Sequence, residues 1–396
     1  MKKTVIFGAG QIGRGFIGDI CGTSEYKLVF VDVAQPVITL LNDRQEYPIW
    51  LLSDKKIEKK ISNLKGIHFS SESEIVEEIA SVNLAFTAVG ANNLSFLAPL
   101  IAKGVKRRIE KGVESFLNIV ICENLLGSAD ILRESIEKHL SCAEKNYIKT
   151  YVGFVETVVS RMVAPLPDSL REKEPLLVTV EPYNILPVAK KSFKGQVPAV
   201  KGFYPVEDIV PYEELKLFGH NLAHATLAYV GYLAGYEFIW ECMGDIRLYK
   251  LLERVVEETK VAIIKKHSLN KKEVEDYISD LFVRFKNKAL NDTVVRVGRD
   301  PLRKIGANDR LAGAIKVCLN EGVFPENISF VMATCLCYNY GNDESATKLQ
   351  GLLEDKGIDY VLRNISCLND ERVICEVKEK YIEIKNRKLD YFDKFC

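Results

Sequence analysis

Residues 4–18 read TVIFGAGQIGRGFIG, and residues 28–33 read LVFVDV. Thr4 to Phe7 is a short β-branched and aromatic run closed by glycine. Leu28 to Val33 is a second such run with an aspartate near its end, and Ile12 to Cys21 between them carries apolar residues at helical spacing. Strand, glycine-rich turn, helix and acid-terminated strand in that order spell a βαβ unit with buried parallel strands. Gly8, Gly10 and Gly13 form GxGxxG at the strand-to-helix turn: the first for a tight turn, the second for close approach of a pyrophosphate, the third for helix–strand packing. Asp32 stands where a carboxylate would bond ribose hydroxyls and repel a 2′-phosphate, which favours NAD over NADP. The competing reading is a glycine-rich turn that binds nothing, and it would have to meet strand, helix and acid requirements together by accident.

Outward from this unit, apolar strand-like runs follow at Leu84–Val89 and Ile119–Cys122, each separated by a helical segment. That rhythm is the one of a doubly wound parallel sheet, an α/β Rossmann-type domain. Cofactor contacts are expected at Phe7, Gly8, Ala9, Gly10, Gln11, Ile12, Gly13, Asp32 and, at the end of a later strand, Val89. Beyond Val152 the text turns to strand-like segments (Val152–Val159, Leu176–Glu181) and then to a stretch with Pro187, Pro198 and Pro205, read as the domain junction. From Pro211 it becomes mostly helical, with apolar positions repeating at three and four. Two domains are expected, 1–195 α/β and 196–396 mainly α-helical, because single cores stop growing near ~250–300 residues.

The bulk numbers narrow the partners. Lys plus Arg equals Asp plus Glu at 54 each, so the chain lacks the basic excess that gathers nucleic acid or anionic lipid. Its ten cysteines are scattered without CxxC pairs, which argues against a structural zinc site and, for thiols in apolar runs, against disulfides. Only three apolar residues follow Thr4 before Gly8, far short of a signal-peptide core, and no run reaches membrane-spanning length. A cytoplasmic protein is expected, with a small-molecule substrate and with neither nucleic acid nor membrane as partner.

The second informative stretch is LKLFGHNLAHA, residues 215–225. At 100° per residue, Lys216, Asn221 and His224 fall within an arc of roughly 140°, so one helix face presents an amine, an amide and an imidazole. Oxidising an alcohol by hydride transfer needs a base for the hydroxyl proton and donors for the developing alkoxide. A lysine serves as that base when burial and nearby positive charge lower its pKa. Spacing alone leaves open a solvated amphipathic face, and His220 is read as turned away and structural, as are His68, His139 and His267.

Here the chain resembles the long-chain polyol-specific dehydrogenases, the mannitol dehydrogenase family, in which a KxxxxNxxH helix supplies the catalytic residues. Lys216, Asn221 and His224 match that pattern, FGAGQIGRGFIG at 7–18 is similar to the family's opening, and Gly153-Phe154-Val155 precedes a segment ending Ser160-Arg161-Met162-Val163-Ala164-Pro165. The resemblance implies that Asn124, after the strand carrying Cys122, helps to bind the reacting oxygen. It also implies substrate contacts at Arg296 and Lys304. Arg299 and Arg303 add two cations at positions that are typically not basic in relatives acting on unphosphorylated polyols. Four positive groups in nine residues suit a dianionic phosphate, to which arginine offers a bidentate fork. Family members commonly carry an aspartate where this chain has Ser160, so recognition of the sugar hydroxyls departs there.

The expected activity is therefore NAD-dependent hydride transfer at a secondary alcohol of a polyol phosphate, with mannitol 1-phosphate and fructose 6-phosphate as the leading pair. No metal is called for, the site is expected between the domains, and the resembling enzymes are often monomers. The alternatives are a relative acting on hexuronates (fructuronate, tagaturonate) or unphosphorylated polyols, and a dinucleotide sensor without turnover.

Overall fold

In the computed structural model, which describes residues 2–387, the strands in chain order are β1 (Lys3–Phe7), β2 (Lys27–Asp32), β3 (Glu46–Leu52), β4 (Lys56–Ser62), β5 (Leu64–His68), β6 (Leu84–Thr87), β7 (Leu117–Ile121), β8 (Val152–Glu156), β9 (Val178–Val180), β10 (Leu186–Ala189) and β11 (Phe203–Val206). Six of them form one parallel sheet in the order β5-β2-β1-β6-β7-β8. The order reverses between β1 and β6, so the strand ends at Phe7 and Thr87 flank the crevice where such sheets bind ligands. Alternation divides the sheet's side chains between two cores. Ile6, Leu28, Phe30, Phe86 and Val120 face one, with Phe16, Ile17 and Ile20 of the first helix. Val5, Phe7, Val29, Val31, Ala85 and Ile119 face the other, with the helices Glu72–Ser81 and Ala98–Glu110. Burial on both faces is why these strands read as unbroken apolar runs.

The hairpin β3–β4 had no counterpart in the sequence reading. Its outer strand, Lys56-Ile57-Glu58-Lys59-Lys60-Ile61-Ser62, is mostly charged and largely exposed, as an edge strand that resists further pairing should be. β3 pairs in parallel with β9 on its other side. Pro187 and Pro205 lie in the two-stranded sheet β10–β11, where a missing N–H is tolerated because both strands are edges.

The chain forms two compact units, Met1–Glu213 and Glu214–Cys396. The second is helical: among its elements are Leu222–Ala234, Ile246–His267, Lys271–Phe285, Val294–Gly298, Ala312–Asn320, Glu326–Leu336, Glu344–Tyr360 and Glu371–Arg387. Leu222–Ala234 is apolar nearly all round and is the buried centre of this unit. It ends at Gly235, whose φ of 80° supplies the left-handed cap. Nine cysteines are free thiols, and Cys396 lies outside the described residues. No described helix is long and apolar enough to cross a membrane.

The helix after the glycine-rich turn starts irregularly, with a π turn over Gly13–Ile17. Main-chain carbonyls in this turn are met by side chains: the Tyr47 hydroxyl donates to Arg14 O at 2.7 Å, and Arg161 Nη1 donates to Gly15 O at 2.9 Å. Arg161, buried, also donates to Glu181 O at 2.8 Å and pairs with Asp19 at 2.7 Å, while Lys59 binds the other oxygen of Asp19. Tyr47→Phe removes a single hydroxyl and leaves Arg14 O buried without that donor. A loss of about 1–3 kcal/mol is expected, visible as a lower urea midpoint at unchanged slope; an unmoved midpoint would show that the carbonyl does not depend on Tyr47.

Candidate active site

The glycine turn is shaped by contacts that no side chain could share. Gly8 has φ +103° and a Cβ there would lie 2.2 Å from Ala88 O; a Cβ on Gly13 would lie 1.9 Å from Gly8 O. Gly10 is different, being exposed with no atom within 4 Å of the Cβ it lacks. The backbone beside it is therefore open to a ligand, whereas its two neighbours are spoken for by the fold. Asp32 closes the turn from the next strand: Oδ2 accepts from Ala9 N at 2.6 Å and Oδ1 from Ala34 N at 2.9 Å. Phe7 and Ala9 are buried, Ile12 is half-buried and Gln11 is exposed.

Val89 and Gly90, after β6, are held by a residue the sequence reading passed over. Glu123 is buried, and its two oxygens accept from Val89 N and Gly90 N, each at 2.9 Å. Burial raises its pKa, with the two amides pulling the other way. Its only sequence signal was an acid just beyond the apolar run Ile119–Cys122. Asn124, next in the chain, is exposed at the carboxyl end of β7. Ser160 is buried, and its neighbour Arg161 is committed to Asp19 and to main-chain carbonyls.

In the helical unit, Lys216 and Asn221 lie in a second π turn, Leu215–Asn221, which runs directly into Leu222–Ala234. Hydrogen bonds closed five residues apart bring residues i and i+5 closer in angle than an α-helix does. Lys216 and Asn221 are such a pair, so the turn narrows the arc that ideal geometry gave them. Burial, then the charge of Arg310, lowers the pKa of Lys216 to about 8; Asp309 opposes and Arg303 adds to the fall. His220, expected to face away from Lys216, does not: residues four apart lie about 40° apart on a helix, and Lys216 is among the charges acting on its ring. It is buried, and burial with Arg284, His224, Lys216 and Arg310 holds its pKa well below the usual histidine range. His224 stacks on Phe285 with centroids 4.9 Å apart, and its Nε2 lies 3.0 Å from Asp292 Oδ2.

The arginine run is more varied than a row of like charges. Arg296 donates through Nε to Asp292 Oδ1 at 2.8 Å, and Arg303 pairs with Asp300 and Asp309, both at 2.8 Å. Arg299 is exposed. Lys304 is 3% exposed and its amine donates to Val297 O; burial, followed by Arg310, brings its pKa to about 7. Arg310, which shares Asp309 with Arg303, went unnoticed because it lies beyond the nine-residue run. Among the described residues no three His, Cys, Asp or Glu side chains gather as a metal site would require.

Comparison with known proteins gives a consistent pattern. Residues 2–202 match the mannitol dehydrogenase Rossmann domain and residues 208–385 the mannitol dehydrogenase C-terminal domain. Mannitol-1-phosphate 5-dehydrogenase of Thermoanaerobacter pseudethanolicus is 34% identical, covering 97% of this chain and 98% of that one. The enzyme of the same name from Bacillus subtilis is 36% identical over 91% of this chain and 94% of that one. Among solved structures, Pseudomonas fluorescens mannitol 2-dehydrogenase, in ternary complex with NAD and D-mannitol, superposes with a TM-score of 0.77 at 17% identity, covering 99% and 94% of the two chains. Substrate-free D-sorbitol dehydrogenase gives 0.80 at 15% identity, over 97% and 93%. These likenesses support the fold.

Arg310→Met should raise the pKa of Lys216, because it deletes the largest charge contribution that depresses it. Only the neutral amine reacts with an acylating reagent, so competitive labelling of Lys216 against pH should show a midpoint above the wild-type value of about 8. A midpoint that stays put would mean that desolvation alone sets the titration.

Proposed function

The chain belongs to the mannitol dehydrogenase family, and we propose that it interconverts D-mannitol 1-phosphate and D-fructose 6-phosphate by NAD-dependent hydride transfer, with Lys216 as general acid and base and no metal ion. The observation that carries this reading is the amine of Lys216, drawn by burial and Arg310 to about 8, where one group can both accept and return a proton near neutral pH. The name shared by the relatives at 34% and 36% identity supports the phosphorylated substrate.

When bound, a nicotinamide dinucleotide supplies the acceptor or donor of hydride. The residues that would hold it are Phe7, Gly8, Ala9, Gly10, Gln11, Ile12 and Gly13 of the turn, Asp32 and Val89. The open space at Gly10 fits a pyrophosphate, and the Asp32 carboxylate retains acceptor capacity for ribose hydroxyls beyond its two amide partners. Residue 33, 71% exposed beside that carboxylate, is valine and brings no cation for a 2′-phosphate, which supports NAD over NADP.

In the oxidative direction neutral Lys216 takes the proton of the substrate hydroxyl; in the reductive direction its ammonium returns it. Asn124 and Asn221 donate amide hydrogens to the reacting oxygen, where negative charge develops. His224 orients the substrate or the amine. Arg296, Arg299 and Arg303 meet the phosphate and hydroxyls. Lys304 joins them as a substrate contact, its amine also donating to Val297 O.

Oxidation needs the neutral amine, so kcat/KM for mannitol 1-phosphate should rise with pH through about 8, and kcat/KM for fructose 6-phosphate should fall through the same range. Lys216→Ala should reduce turnover on the order of 10²–10⁴-fold. NADH oxidation assayed with fructose 6-phosphate, fructose, fructuronate and tagaturonate tests the substrate: dominance of a non-phosphorylated compound overturns the phosphate assignment. NADH binding without turnover on any pair would favour a sensor. Gly10→Ala tests the cofactor cradle separately. Its Cβ meets no protein atom, so stability should be kept while NADH affinity drops more than tenfold; unchanged affinity would remove the pyrophosphate from that position.

A further inference from the structure

Asp292 is anchored more firmly than its place between two helices requires. Its carbonyl accepts from Ile239 N at 2.9 Å, Thr293 bridges to Phe238, and Val294 N donates to Glu237 O at 2.9 Å. The main chain on both sides of the residue is thereby fixed to the 237–239 segment, which aims the side chain. Its carboxylate is 8% exposed and spans two groups: Oδ2 lies 3.0 Å from His224 Nε2, a close charge contact without hydrogen-bond alignment, while Oδ1 takes Arg296 Nε at 2.8 Å and Nη2 at 2.6 Å. Phe285, stacked on the imidazole at 4.9 Å and 26°, limits the ring to motion within its own plane.

We propose that Asp292 is a positioning residue: it holds His224 in the tautomer with hydrogen on Nε2, leaving Nδ1 as an acceptor, and locks the same imidazole to the substrate arginine Arg296. The carboxylate accepts only, so an imidazole nitrogen lying against it is stabilised when it carries hydrogen. The opposite nitrogen is then free of hydrogen whenever the ring is neutral. That makes Nδ1 a suitable acceptor for a substrate hydroxyl or for the ammonium form of a lysine. Burial raises the pKa of Asp292, but His224 and Arg296 outweigh it and the net direction is downward, so the acceptor stays ionised. The other oxygen of the same carboxylate gives Arg296 a fixed direction, which links the orientation of the imidazole to that of the phosphate- and hydroxyl-binding run.

This inference rests on the roles proposed above for His224 and Arg296, and its test separates the two. Asp292→Asn keeps shape and replaces an acceptor by an amide that can offer hydrogen, which favours the opposite tautomer. In the full-length protein with NADH bound, ¹⁵N correlation spectra of the His224 ring should show hydrogen on Nε2 in the wild type and a shift toward Nδ1 in the variant. In turnover with fructose 6-phosphate, Asp292→Asn should lower kcat at least tenfold with NADH affinity within twofold. Asp292→Asn combined with His224→Asn should be no slower than His224→Asn alone. Hydrogen on Nδ1 in the wild type overturns the proposal even if the variant fails to fold, and so do independent, multiplying losses in the double variant. If His224→Asn itself keeps full turnover while the tautomer is as expected, the role of His224 in the reaction fails and the positioning by Asp292 stands.

Discussion

A helix that takes in a π turn must find partners for main-chain groups that regular α-helical bonding would have served. In the first unit that one requirement, at Gly13–Ile17, recruits residues from across the chain. Tyr47 comes from the hairpin to reach Arg14 O, and Gly18 has to lack a side chain because a Cβ there would lie 2.1 Å from the Tyr47 hydroxyl oxygen. Arg161 comes from the segment after β8 to reach Gly15 O, brings a positive charge into the interior, and is matched there by Asp19. Asp19 in turn holds Lys59 of the edge strand. The dinucleotide turn is thus braced by the auxiliary sheet, although none of the bracing residues belongs to the glycine motif.

Around the candidate site of the helical unit, three carboxylates are shared among several cations. Asp292 stands between His224 and Arg296, Asp300 holds Arg303, and Asp309 is divided between Arg303 and Arg310. Burial, followed by neighbouring guanidinium charge, drives both Lys216 and Lys304 down from the ordinary lysine range, against the opposing pull of Asp309 on the first and Asp300 on the second. A chain with 54 charges of each sign gives no hint of this local imbalance.

The parts of this molecule that repeat a short-range rule were legible from the residues. Unbroken apolar strands, the glycine spacing and the aspartate at 32 define the doubly wound sheet, and the three-and-four period defines the helical unit. Lys216, Asn221 and His224 share one helical stretch, which spacing alone does not distinguish from a solvated face; it is the family pattern that singles them out. The hairpin at 46–62 was not, since an edge strand as charged as β4 looks like a loop until its partner is known. Glu123, Asp292, Asp309 and Arg310 escaped for a different reason: each matters through a contact with a distant segment or through a charge whose sign is decided by folding. His220 was assigned to the wrong side of the helix, an error of angle rather than of chemistry.

The π turn at Leu215–Asn221 also says something about how such a protein can change over evolutionary time. Substitutions within it alter one side chain each, whereas loss of a single residue would let the stretch close as ordinary α-helix, with the flanking turns keeping their facing because the wide turn is what absorbs the extra residue. A deletion between Lys216 and Asn221 would change the spacing of amine and amide while the composition of the stretch hardly changed. The spacing of amine and amide therefore depends on the number of residues between 215 and 221 more than on which residues fill the intervening positions.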